Sequence, residues 1–193
     1  MFHRISVKIT DKLISLKTIN SVDRDIYEYG VQHILITLLN ITTVIIIGIV
    51  LNAVIEAIAF ITAFIPLRIF AGGFHFSTPI KCYIFSSCFV AAVLLAMRYV
   101  NISILIYCLL YCLAIVIILI LSPVEDVNKP LDQVEKKVYR KRTIIVLGTE
   151  CGLILILFFF DQFILVQSMM ASNIVLSLMI ILGIIKNAFI NNK

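Results

Sequence analysis

The chain has 193 residues, of which 62% are hydrophobic and 14% charged, with a formal net charge of +5 and a mean hydropathy of +1.11. A soluble domain of this length needs more polar residues to cover its surface, whereas lipid tolerates such a composition. Polar and apolar residues do not alternate regularly, which argues against a transmembrane β-barrel, and the basic residues cluster between apolar runs, so the positive charge calls for no nucleic-acid partner.

Residues 1–20 predict an amphipathic helix. Phe2, Ile5, Ile9, Leu13 and Leu16 recur at spacings of three and four, with Arg4, Lys8, Lys12 and Lys17 elsewhere on the wheel. Such a helix suits an anionic membrane surface, and equally the inner side of the protein's own bundle. The first thirty residues show no continuous apolar run ahead of a small-residue cleavage site, so the first span is expected to act as the insertion signal and to remain. Asn20-Ser21 breaks the pattern, and Ser21 is placed to cap a new helix.

Six apolar segments follow, at about 31–55, 57–70, 82–99, 102–121, 143–160 and 163–185. The expected fold is therefore an all-α, polytopic membrane protein: one membrane domain over 1–193, with six transmembrane helices and an N-terminal interfacial helix. The segment 71–81 is a short polar connection, and 122–142 reads as a basic loop. Five cysteines, four of them within apolar runs, suggest neither a disulfide framework nor a zinc site. Placing the N-terminus in the cytoplasm puts fifteen of the sixteen Lys and Arg residues on that side, Arg98 being the exception. The C-terminus and both polar connections then face the cytoplasm too.

The connection between the second and third spans runs from Pro66 to Cys82 and brings together Arg68, Gly72-Gly73, His75, Thr78-Pro79 and Cys82. Gly72-Gly73 should end a helix. Thr78 reads as an N-cap and Pro79 as the first helical residue, leaving Cys82 about one turn into the third span. A thiol there meets the positive end of the helix dipole, which favours the nucleophilic thiolate. In an unbroken helix His75 would stand about 10 Å away along the axis. The Gly-Gly and Thr-Pro breaks let it fold back, and a Cys–His pair is the minimum for nucleophilic acyl chemistry. From these residues alone, the segment reads equally as a catalytic pair or as a structural turn. Cys88, Cys108, Cys112 and Cys151 read as packing residues.

The pattern Arg68-x-x-Ala71-Gly72-Gly73-x-His75-x-x-Thr78-x-x-x-Cys82 resembles the signature of AgrB, the accessory gene regulator protein B family. The segment Ser122–Leu131 with the basic stretch Lys136–Arg142 resembles that family's second polar loop. The resemblance implies a membrane cysteine endopeptidase of quorum sensing, with an AgrD-like propeptide as substrate. It implies Cys82 as nucleophile and His75 as its base, with Arg68, Gly72, Gly73 and Thr78 in supporting roles and Lys129 and Pro130 contributing from the second loop. It further implies a thioester on Cys82 that an internal cysteine or serine of the peptide converts to a thiolactone or lactone. No metal or other cofactor is called for, and a homodimer is the candidate assembly.

Two other readings remain open at this stage. A peptide exporter without proteolysis would need ionisable groups along a path at mid-membrane, whereas Glu56, Arg98 and Asp161 fall near span ends and Glu150 only slightly inside the fifth. A non-catalytic membrane sensor would tolerate loss of Cys82.

Overall fold

The computed structural model describes residues 2–74, 76, 78–100, 102–125 and 131–191. Helices account for nearly all of them: α1 (Phe2–Ser15), α2 (Arg24–Val50), α3 (Val54–Ala71), α4 (Pro79–Tyr99), α5 (Ile104–Leu121), α6 (Gln133–Phe159) and α7 (Phe163–Asn191). The last six are long and apolar enough to cross a bilayer. Within lipid every backbone N–H and C=O must be paired inside the protein, and helices meet that demand segment by segment. The chain is an all-α polytopic membrane protein. Among the described residues the one β-type pairing is an isolated bridge between Gly72 and Val124.

Helix α1 packs on α2 with small polar residues, not its apolar stripe, as its most buried positions. Ser6 and Thr10 are fully buried, while Ile9 and Leu16 remain exposed. Asp11 accepts hydrogen bonds from Arg24 Nε and Nη2 at 3.1 and 3.0 Å, and His3 Nδ1 lies 3.0 Å from Glu28 Oε1. The helix thus packs on the protein and still presents apolar side chains outward, the side a membrane surface would cover. A single 3-10 turn, Ser21–Asp23, leads into α2, with Asn20 rather than Ser21 at its N-cap.

Successive spans reverse direction through short connections. Asn52, at φ 51°, turns the chain between α2 and α3, and its carbonyl accepts from Arg98 Nη1 at 2.9 Å. Arg98, the one basic residue that the charge argument leaves on the far side, thereby ties the end of α4 to that turn. A Cβ on Gly48 would lie 2.9 Å from that of Ala57, so α2 and α3 approach at backbone distance. Between α2 and α4, Thr43 Oγ1 and Tyr83 OH share a 2.8 Å hydrogen bond, and Ser86 Oγ donates to Asn40 Oδ1 at 2.8 Å. In lipid such bonds contribute roughly 0.6 kcal/mol each.

Helix α7 is the centre of the bundle and packs against α3, α5 and α6. It buries Val166, Leu176 and Ile180 together with Ser168, Ser172, Asn173 and Ser177. The serine hydroxyls bond back to carbonyls of their own helix, as Ser168 does to Ile164 at 2.7 Å, so small polar residues enter the interior with their hydrogen bonds made. On the outer face of α6, Gly148 and Gly152 form a G-x-x-x-G pair, and a Cβ on either would meet nothing within 4 Å.

The segment 122–142, expected as one basic loop, is loop only in its first part. Helix α6 already starts at Gln133, held by a reciprocal capping box. Glu135 N–H donates to Asp132 Oδ1 at 2.6 Å, and Asp132 N–H donates to Glu135 Oε2 at 3.1 Å. Lys136 to Arg142 therefore line the first turns of a helix. The ring of Tyr139 lies 6.1 Å from that of Phe70, and Arg142 stands 5.4 Å over the same Phe70 ring.

Candidate functional site

Helix α3 ends in a turn that only glycine can make. Gly72 adopts φ 73°, ψ −148°, and Gly73 adopts φ 125°. Side chains rarely occupy either conformation, and space forbids them as well. A Cβ on Gly72 would run into the Val124 carbonyl oxygen, and one on Gly73 into the Arg68 guanidinium. Arg68, one turn before the end of α3, donates through Nη1 to the Gly72 carbonyl and through Nη2 to the Phe74 carbonyl. A fork of two N–H groups on two carbonyls fixes the path of the turn, and its charge complements the helix C-terminus.

Two distant segments hold this turn from outside. Phe74 N–H donates to the Met179 carbonyl of α7 at 2.8 Å, and a Cβ on Gly183 would sit 2.8 Å from the Gly73 carbonyl carbon. Lys186 lies 5.7 Å over the Phe74 ring. From the other side, Val124 N–H donates to the Ala71 carbonyl at 2.9 Å. The next residue, Glu125, accepts from the Leu131 amide at 3.1 Å and pairs with Lys136 at 2.5 Å, while its carbonyl accepts from Asn187 at 2.8 Å. The Lys136 ammonium, then the Leu131 amide, hold the Glu125 carboxyl below the usual carboxylate range.

Helix α4 starts on the far side of the turn. Thr78 is its N-cap in extended conformation (φ −120°, ψ 135°), and Pro79 occupies the first helical position. The Thr78 side chain makes no cap bond. Cys82 N–H donates to the Thr78 carbonyl at 3.2 Å, which places the half-buried thiol residue in the first turn, near the positive end of the helix. Three and seven residues on, Phe85 and Phe89 continue the same face. Their rings are 5.8 Å apart, and Phe85 is met by Phe76 at 5.2 Å and Phe74 at 6.0 Å. A wall of phenylalanines thus borders the start of α4.

Of the residues that the sequence singled out, Arg68, Gly72 and Gly73 come together in one turn, and Thr78 and Cys82 open the next helix. His75, Lys129 and Pro130 lie outside the described residues. The sequence reading missed Met179, Gly183, Glu125 and Asn187, which brace the turn from segments at least forty residues away in sequence. It also passed over Phe85 and Phe89, whose spacing from Cys82 was available as a signal. No disulfide joins any of the five cysteines. Cys88 and Cys112 are exposed on the outer face of the bundle, and Cys151 shares a 3.2 Å hydrogen bond with the Tyr111 hydroxyl.

The family model of accessory gene regulator B, AgrB, matches residues 6–190. The chain belongs to the AgrB family. The match includes both polar segments, the Gly-Gly turn with Cys82 and the loop that begins at Ser122. Among curated relatives, a putative AgrB-like protein 2 from Clostridium perfringens (strain 13 / Type A) is 27% identical over 149 residues, covering 74% of this chain and 70% of that protein. A putative AgrB-like protein from Clostridium perfringens (strain SM101 / Type A) is similar to the same degree and over the same shares. No solved structure matches the chain. AgrB membership connects this membrane protein with the peptide processing of accessory gene regulator quorum sensing.

Proposed function

We propose that the protein is a membrane cysteine endopeptidase that removes the C-terminal tail of an AgrD-like propeptide and passes the remainder to a cyclisation step. The observation that carries this reading is the placement of Cys82 in the first turn of α4, directly after a glycine turn braced by Arg68, α7 and the 122–125 loop. A thiol at a helix start, beside a backbone held rigidly by several contacts, is what a positioned nucleophile requires.

In this mechanism His75 takes the Cys82 proton. The thiolate adds to a peptide carbonyl, and backbone N–H groups at the start of α4 are suited to the resulting oxyanion. Collapse of the intermediate breaks the C–N bond, and His75 returns its proton to the departing amine of the tail. The peptide stays on Cys82 as a thioester. A cysteine or serine of the peptide then attacks that thioester, closing a thiolactone or lactone and releasing Cys82 as a thiol. Exchange of one thioester for another has little driving force, so keeping water out decides the product. The Phe74, Phe76, Phe85 and Phe89 wall serves that purpose.

The end of the bundle that carries the site also carries Lys81, Lys136–Arg142 and Lys186, and the positive-inside rule assigns this end, with both termini, to the cytoplasm. A basic surface there would attract an acidic tail. The test is to co-express a propeptide with the wild type, Cys82→Ser and His75→Ala, and to follow release of the tail by mass spectrometry. Release by the wild type alone is expected. Release by Cys82→Ser at the wild-type level would remove Cys82 as the nucleophile, and no release even by the wild type would leave export without proteolysis as the better account.

A further inference from the structure

Midway along the bundle, α6 and α7 bury a carboxyl group. Glu150 is 7% exposed and is the one acidic side chain in the buried core of the described residues. It lies seven residues after Thr143 and nine before Phe159, hence about 10 Å and about 13 Å along the axis from the two ends of the apolar part of α6. That is close to the middle of a hydrocarbon core. Asn173 of α7, fully buried, donates from Nδ2 to Glu150 Oε2 at 3.0 Å. The partner oxygens, Glu150 Oε1 and Asn173 Oδ1, are both buried and neither has a hydrogen-bond partner among the described residues.

Among the described residues, the other groups near this pair are neutral or apolar. From α5 comes Tyr111, whose hydroxyl faces Asn173 and Glu150 and shares its hydrogen bond with Cys151 of α6. From α7 come Ser172 and Ser177, each bonded back to its own helix. One turn to either side on α6, Leu147 and Ile154 belong to apolar clusters to which α3 contributes Ala63 and Leu67. No Lys, Arg or His pairs with Glu150 among the described residues. A bare carboxylate with a single amide donor is strongly disfavoured in such surroundings. Two buried oxygens without a partner leave the pair one hydrogen-bond donor short.

We propose that Glu150 and Asn173 form an intramembrane site that binds one exchangeable proton. The proton on Glu150 supplies the missing donor, and Asn173 holds the carboxyl in place. A metal cation such as sodium would need more oxygens than the two that stand unpartnered. The α6–α7 contact is thereby linked to proton concentration, a property separate from propeptide cleavage. It revises the expectation that Glu150 lies only slightly inside the fifth span.

Dicyclohexylcarbodiimide tests this directly. It enters the hydrocarbon phase and takes the proton of a protonated carboxyl. The carboxylate then adds to the central carbon, and the adduct rearranges to a stable N-acylurea. On full-length protein in lipid vesicles, intact and peptide mass spectrometry should find one adduct at Glu150. Its rate of formation should fall as the medium is made alkaline, and the adduct should be absent in Glu150→Gln. Infrared spectroscopy of the unsubstituted protein serves as a measurement independent of any variant's folding. It should show a protonated-carboxyl C=O band at neutral pH that disappears in alkali. No adduct at Glu150, no such band at neutral pH, or protection of Glu150 by sodium ions would each overturn the proposal.

Discussion

Gly183 of α7 and Gly73 of the turn after α3 meet backbone to backbone, 110 positions apart in sequence, with no room for a single added carbon: a Cβ on Gly183 would stand 2.8 Å from the Gly73 carbonyl carbon. The neighbour is main chain, so relief requires the turn itself to shift. Overpacking of this kind costs about 1–3 kcal/mol, and a displacement of about 1 Å at a reacting centre can reduce a rate on the order of a hundredfold. Gly183→Ala is therefore expected to lower propeptide cleavage by roughly ten- to a hundredfold, while circular dichroism in detergent still reports wild-type helix content. Unchanged cleavage would mean that the α7 contact does not position the turn.

Arg68 directs two N–H groups at the carbonyls of Gly72 and Phe74. Lysine keeps the charge but not the fork. Each hydrogen bond from a charged donor contributes about 1.5–3 kcal/mol. Cleavage should thus fall in the order wild type, Arg68→Lys, Arg68→Ala, with the loss in kcat rather than KM if Arg68 shapes the turn instead of binding substrate. Steady-state kinetics with a synthetic propeptide separates the two.

Phe85 stands between Phe89 on its own helix and the rings of Phe74 and Phe76. If this wall keeps water from the thioester, Phe85→Ala should divert product from the ring to the linear acid without abolishing tail release. Chromatography of the two products against each other measures the partition. An unchanged ratio would remove the wall from the account.

Glu125 ties the second polar loop together through Lys136 and the Leu131 amide, and these partners lower its pKa. A depressed folded value means that the bridge stabilises the loop fully above the ordinary carboxylate range and loses that effect as pH falls through the lowered value. A partly exposed pair contributes up to about 1 kcal/mol, so the effect should be local. Hydrogen exchange of the Leu131 amide, corrected for its intrinsic rate, should be slow at neutral pH and lose protection in acid. In Glu125→Ala it should be fast throughout.

Much of this architecture was legible because lipid imposes it. A bilayer demands long apolar helices, so six spans and their all-α character follow from hydropathy, and Thr78-Pro79 marks the start of α4 through local backbone chemistry alone. The order of burial was not legible. Helix α5 is the most apolar span, yet it turns many of its large side chains outward, while α7, with its serines and Asn173, occupies the centre. Between helices in lipid the hydrophobic effect gives no preference for the interior, and small polar residues that pack closely win it. The boundary of α6 was missed because the run of like charges from Lys136 to Arg142 reads as a solvated loop, whereas the capping box at Asp132 and Glu135 starts a helix. The glycine turn could be read from Gly72-Gly73. Its supports at Met179, Gly183 and Val124 are tertiary contacts that no local pattern encodes.

The proposed chemistry passes through a covalent bond to Cys82, which mass spectrometry reads directly. Purified protein in lipid is mixed with a propeptide whose ring-closing residue has been replaced by alanine, quenched in acid, and analysed by intact and peptide mass spectrometry. One acyl adduct is expected, adding the mass of the peptide without its tail less one water, located on Cys82 and removed by hydroxylamine. Tail release without any adduct on Cys82, or with undiminished rate in Cys82→Ala, would contradict it.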